Sequence, residues 1–220
     1  TAAWPAVKLA WMRKHQPELI NPKHTVLMCK DYINFKLCGR RAIDMTEAGS
    51  SLMCDSKSRT WSAELMEALE LPADLLPDLV EPTQIIGNVN REASDKTGLP
   101  QGLPVIVGMG DYPAALLGSG AAPLTEACDI TGTSALLTLF DNNPVIHDGI
   151  MNVATGDGGW GAFCVVDAAG DSVRWAKDLL GGGQHSYADI RNAVGETIPC
   201  GNGLTYLPYL TGERLGQGDR

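Results

Sequence analysis

The apolar run Leu103–Val107 ends in Gly108-Met109-Gly110-Asp111 and passes directly into Tyr112-Pro113-Ala114-Ala115-Leu116-Leu117-Gly118. A short buried strand, read over Val105–Val107, reaches a helix this quickly only where the backbone can turn sharply, and the two glycines permit that. The chain is thereby committed to a strand-to-helix junction with a carboxylate standing on it. Asp111 at such a place can cap the helix or, held in a fixed position, remove a proton from a bound hydroxyl. About 20 residues later, Thr131-Gly132-Thr133-Ser134 interrupts a second apolar stretch. Gly132-Thr133 there fits a two-residue hairpin turn with glycine first. As a functional element, the amides near Gly132 and the hydroxyls of Thr133 and Ser134 could hold phosphate oxygens without a lysine. A carboxylate paired with a glycine-hydroxyl turn suggests phosphoryl transfer, in which positioning and charge neutralisation outweigh base strength.

Around this junction the pattern is mixed α/β. Helical spacing is read over Pro5–His15, over Asp31–Cys38 with Gly39 as the stop, from a Ser62 cap through Leu69 with Leu65, Met66 and Leu69 inward, and over Arg91–Thr97 ending at Gly98. His24–Met28 reads as a short strand or loop and Ser51–Cys54 as extended. In the second half, Asp129–Thr131 with Ala135–Phe140 reads as a hairpin and Gly161–Val166 as a strand. Asp171–Leu180 and Tyr187–Val194 read as helices. Gly170-Asp171-Ser172-Val173-Arg174-Trp175 opens the first of these as an ordinary capped helix. Asp31, Asp44 and Glu213-Arg214 read as caps or surface ion pairs, and Trp61 and Trp175 as core. The small-residue stretch Gly118–Pro123 is the best boundary, and 220 residues suit two domains, 1–120 and 121–220.

A net charge of −9 repels nucleic acid over most of the surface, while an anionic nucleotide can still bind through glycine turns. Six cysteines and four histidines show no metal-ligand spacing, so the thiols read as free and buried in a reducing compartment. No signal peptide and no run of about 18 apolar residues is present, so no membrane partner is expected and the chain reads as cytoplasmic. A Walker-type Gly-x-x-x-x-Gly-Lys-Ser/Thr run is absent, which argues against a P-loop enzyme.

Lys8-Leu9-Ala10-Trp11, Lys30-Asp31-Tyr32, Asp44-Met45-Thr46-Glu47-Ala48-Gly49, Trp61-Ser62, Gly108-Met109-Gly110-Asp111, Gly132-Thr133-Ser134 and Leu207-Pro208-Tyr209-Leu210-Thr211-Gly212-Glu213-Arg214 follow one another in this order. The succession resembles the middle of an FGGY-family carbohydrate kinase of the xylulokinase branch. That resemblance implies an actin-like, ribonuclease-H-like ATPase fold, with residues 1–120 in the latter part of an N-terminal lobe and 121–220 in the first part of a C-terminal lobe. It implies transfer of the ATP γ-phosphoryl group, with Mg²⁺, to a hydroxyl of a sugar or polyol such as the ketopentose xylulose. Asp111 matches the catalytic base and a substrate contact, Gly132 and Thr133 a phosphate-binding turn, and Gly170 and Arg174 positions beside the nucleotide. A homodimer is compatible with the likeness. The family's early Asp-x-Gly-Thr segment and late glycine-rich adenosine pocket are not among these residues, so the chain is expected to be a central fragment, inactive alone. A non-catalytic sugar- or nucleotide-binding relative of the same fold, or a nucleotide-dependent hydrolase, stays open beside the kinase.

Overall fold

The computed structural model of the protein describes residues 4–121, 127–210 and 212. The end of the expected boundary, Ala122-Pro123, and the residues Thr211 and Glu213-Arg214 lie outside them. α1 (Pro5–His15) begins on a proline, whose missing N–H falls where a helix start leaves amides unpaired. It buries Ala6 and Leu9 with Ile20, Met53, Met66, Leu71 and Leu75 in one core, against which the half-buried Trp61 packs. α2 (Cys29–Cys38) ends at Gly39, and His24–Met28 is irregular.

Next come β1 (Ala42–Asp44), α3 (Met45–Gly49), and the short antiparallel pair β2 (Cys54–Asp55) and β3 (Thr60–Trp61). Extended structure expected from Ser51 therefore begins only at Cys54. α4 (Ala63–Ala68) is capped by the Ser62 hydroxyl, which accepts from the Leu65 N–H at 3.2 Å. With six residues this helix has one narrow inward face: Met66 is buried, but Leu65, expected inward, is exposed. β4 (Asp78–Val80) pairs in parallel with β1, placing Ile43 beside Leu79 and Asp44 beside Val80. β5 (Ile85–Asn88), α5 (Arg91–Thr97) and β6 (Pro104–Ile106) follow. β5 and β6 are antiparallel, and Val89, Ala93 and Val105 form a second small core. α6 (Asp111–Gly118) follows β6 after four residues.

β7 (Ala127–Thr131) and β8 (Ala135–Asp141) form the expected hairpin, with Thr131 opposite Ala135. The turn thus has three residues, not two, and the Gly132 N–H donates to the Ser134 carbonyl at 2.7 Å. β9 (Met151–Ala154) and β10 (Trp160–Val166) complete a sheet of order β7-β8-β10-β9. α7 (Gly170–Gly181) and α8 (Tyr187–Glu196) close the regular elements. The chain divides into two compact units. One comprises Thr1–Glu126, Phe140–Val145 and Asn152–Ala162; the other comprises Ala127–Leu139, Ile146–Met151 and Phe163–Arg220.

Two side-chain expectations change. Trp175 is not core: it is 43% exposed and stacks on Tyr206 at 5.8 Å. The five cysteines described are free, as expected, but none is fully buried, and Cys29 and Cys164 are exposed. Burial still pushes the half-buried Cys54 thiol up to about 11, which keeps it in the unreactive protonated form at neutral pH. No helix among the described residues is long and apolar enough to cross a membrane.

Candidate active site

Gly110 is the N-cap of α6 and Asp111 its first helical residue, so Asp111 does not cap the helix, contrary to one of the two roles expected of it. Its Oδ1 accepts from the Tyr112 N–H at 2.7 Å, and the side chain is exposed at the helix start, where a negative charge is favoured. The approach to Asp111 is fixed residue by residue. Val107 N–H donates to Gln84 O at 3.0 Å and Gly108 N–H to Pro82 O at 3.1 Å. Val107 O accepts from Asn34 Nδ2 at 2.8 Å and Lys30 Nζ at 3.3 Å. Gly108 takes φ +75°, which an L side chain rarely adopts, so this turn requires a glycine. The Met109 side chain packs against Gly156, whose own lack of a side chain admits it. Gly110 N–H donates to Thr46 Oγ1 at 3.0 Å.

Behind this segment lies a buried charge cluster. Asp31 and Asp44 are both 0% exposed, so neither is a surface ion pair, and only Asp44 is a cap. Asp44 Oδ2 caps α3 by accepting from the N–H groups of Thr46 at 2.8 Å and Glu47 at 3.4 Å, and it also accepts from the Thr46 hydroxyl. Lys30 Nζ stands 2.5 Å from Asp31 Oδ1 and 3.0 Å from Asp44 Oδ1. Burial opposes the charge on Lys30, but the hydrogen bond to Asp31 and the field of Asp44 outweigh it and hold the ammonium above the ordinary lysine value. One ammonium shared by two carboxylates leaves each acid short of compensation. Burial, with the field of Asp44 added to it, accordingly holds Asp31 above the ordinary carboxylate value against the pull of Lys30, and Asp31 Oδ2 has no hydrogen-bond partner among the described residues. Burial also raises Glu47; Lys30 opposes this, while Asp44, Asp31 and Asp111 add to it.

Lys30-Asp31 and Asp44-Met45-Thr46-Glu47 stand apart in the sequence and meet only in the folded chain. No local pattern announces the meeting: Lys30 and Asp31 lie on α2, Asp44 ends β1 and Thr46 and Glu47 lie on α3, and only the tertiary fold brings them together.

In the second unit, the turn Gly132–Ser134 rests on the start of α7. Gly170 N–H donates to Gly132 O at 3.0 Å, and Thr133 O accepts from Ala169 N–H at 3.0 Å and Asp171 N–H at 3.3 Å. The helix start is therefore capped by turn carbonyls rather than by a side chain. Among the described residues, the amides and hydroxyls of Thr133 and Ser134 have no hydrogen-bond partner, whereas the Gly132 amide is used within the turn. Gly170 has to be glycine because a Cβ there would collide with the Gly132 carbonyl oxygen and lie 3.2 Å from its carbon. Gly170→Ala is expected to cost about 1–3 kcal/mol by overpacking, read as a lowered denaturant midpoint. An unchanged midpoint would mean that the turn yields freely. Arg174 is exposed and pairs with Asp171 one turn earlier on its own helix, at 2.8 Å. Gly132, Thr133 and Gly170 thus come together, and Arg174 stays on the outer surface of α7.

Residues 1–118 match the profile described as the FGGY family of carbohydrate kinases, N-terminal domain. The chain belongs to the FGGY family of carbohydrate kinases. This FGGY-family chain is 28% identical over 209 residues to the xylulose kinase of Lactococcus lactis subsp. lactis, covering 94% of the chain and 42% of that relative. It is 38% identical over 114 residues to the L-fuculokinase of Escherichia coli, covering 52% of the chain and 24% of the relative. The crystal structure of xylulose kinase from Rhodospirillum rubrum superposes with a TM-score of 0.89 at 27% identity, over 97% of this chain and 44% of that one. The chain therefore spans less than half the length of the relatives it matches.

Proposed function

We propose that this chain forms the central part of an ATP-dependent kinase of the actin-like, ribonuclease-H-like class that phosphorylates a hydroxyl of a ketopentose such as xylulose. In this reading residues 1–120 are the latter part of the N-terminal lobe and 121–220 the first part of the C-terminal lobe. The observation that carries the reading is the exposed Asp111 carboxylate, presented on a backbone held at Val107, Gly108 and Gly110 by hydrogen bonds. The similarity to xylulose kinases supports the choice of sugar.

Asp111 binds the acceptor hydroxyl and takes its proton as that oxygen bonds to the γ-phosphorus. The bond from that phosphorus to the bridging oxygen breaks, and ADP leaves with the electron pair. The amides and hydroxyls of Thr133 and Ser134 receive phosphate oxygens, and their lack of partners among the described residues fits an anionic ligand; Gly132, its amide given to Ser134 O and its carbonyl to the Gly170 N–H, shapes the turn that presents them. Gly170 holds that turn in place; a role for Arg174 beside the nucleotide rests on the family likeness alone, since its side chain is exposed and paired with Asp171. Mg²⁺ accompanying the ATP would neutralise charge on the phosphates, held mainly by the phosphates themselves and water with one or two carboxylates. The free thiols support a reducing, cytoplasmic setting.

The test is ADP release by a protein of full family length carrying this chain, screened over ketopentoses, ketohexoses, polyols and glycerol. Release that depends on a ketopentose supports the proposal. Sugar binding without ADP release would indicate a non-catalytic binder, and release without any sugar a hydrolase.

A further inference from the structure

The charge cluster behind α6 connects to Asp111 through one side chain. Thr46 is 1% exposed and has a single hydroxyl hydrogen, which it gives to Asp44 Oδ2. With its hydrogen given to Asp44, the hydroxyl oxygen has a lone pair left to receive the Gly110 N–H at 3.0 Å. Asp44 cannot drift: its Oδ2 also receives two amides at the start of α3, and its Oδ1 lies 3.0 Å from Lys30 Nζ. Lys30 in turn reaches Val107 O, at the other end of the Gly108–Gly110 turn. The turn is therefore tied at both ends to one buried set of charges, and its last tie stands one residue before Asp111.

We propose that Thr46 is a positioning residue for Asp111, its hydroxyl relaying the fixed place of Asp44 to the backbone that carries the general base. This rests on the general-base reading of Asp111. Consecutive Cα atoms are about 3.8 Å apart across a rigid peptide, so a displacement of Gly110 passes to Asp111 with little loss. Thr46 is 1% exposed, so its side chain is closed to a bound acceptor or phosphate. Its loss slows the proton-transfer step while leaving the ground-state affinity for sugar in place.

The experiment compares Thr46→Val, which keeps the shape and removes the hydroxyl, with Thr46→Ser, which keeps the hydroxyl and removes the methyl. Both are made in a protein of full family length and assayed by ADP release beside Asp111→Asn. T46V is expected to lower kcat about 10- to 100-fold with KM for the sugar within about twofold, and T46S to restore kcat to within about threefold of the parent. Wild-type kcat in T46V, a loss in T46S as large as in T46V, or a change confined to KM would overturn the proposal. If T46V does not fold, T46S carries the test alone: near-parental kcat supports the hydroxyl relay, and a tenfold loss in a folded T46S overturns it. A parental rate in T46V beside an inactive D111N rejects the relay alone, whereas a parental rate in D111N rejects the general-base reading itself.

Discussion

Asp111→Asn, in a protein of full family length, is expected to lower turnover by about 10²–10⁴-fold, the span that a positioned general base contributes. The amide is nearly isosteric and can still accept from the Tyr112 N–H, as Asp111 Oδ1 does at 2.7 Å, so the start of α6 is retained. It has no basic oxygen to receive a proton at neutral pH. Stability should change little, because the side chain is exposed and Gly110, rather than Asp111, occupies the N-cap. KM for the sugar should rise less than kcat falls, since an amide still hydrogen-bonds to a hydroxyl. The measurement is sugar-dependent ADP release together with denaturant unfolding of the same preparation. Turnover near the parental level in a normally folded variant would remove Asp111 from the chemistry.

Lys30→Met is expected to cost about 3 kcal/mol of stability, the lower end of the range for breaking a buried ion pair, because the Lys30 side chain is 23% exposed and water can partly take its place. The cost comes less from the lost attraction than from leaving the fully buried Asp31 and Asp44 without an opposite charge. Pairing K30M with Asp31→Asn should therefore destabilise less than the two single changes added together. The pH dependence has a definite sign. Lys30 is raised in the folded state above the ordinary value of 10.5, so its contribution is fully present below that pH and is lost as pH rises through the folded value. K30M should flatten this alkaline limb of the stability curve. A K30M midpoint equal to the parent's would mean that the two carboxylates are compensated elsewhere.

Elements governed by neighbours in sequence could be read directly. α5 runs over Arg91–Thr97 and stops before Gly98, as its terminal glycine announces, and the structure adds a cap at its start, where the Asn90 side chain accepts from the Ala93 N–H. The hairpin of β7 and β8 was legible from the β-branched and apolar residues on either side of Gly132-Thr133, but the length of its turn was not, because the Gly132 N–H finds the Ser134 carbonyl and spreads the reversal over three residues. α2 begins two residues before Asp31 because its N-cap, Met28, supplies no side-chain hydrogen bond and so leaves no mark in the sequence. β1 and β4 were missed altogether: each has three residues, and their pairing joins segments more than 30 positions apart. That same pairing hid the site's second half. Asp44 reads as a cap or a surface ion pair, and the cap holds, but its burial shows only once β1 is placed beside β4 and Lys30 is brought over from α2; a charge's burial depends on distant partners that local pattern does not contain. Asp111, by contrast, was legible because its position is set by the strand, turn and helix on either side of it.

Three amides at the head of α7 are committed to the carbonyls of Gly132 and Thr133. The hairpin tip and the first turn of the helix are consequently one mechanical piece: displacing Gly132 or Thr133 breaks bonds that the start of α7 needs, so a substitution at either end is felt at the other.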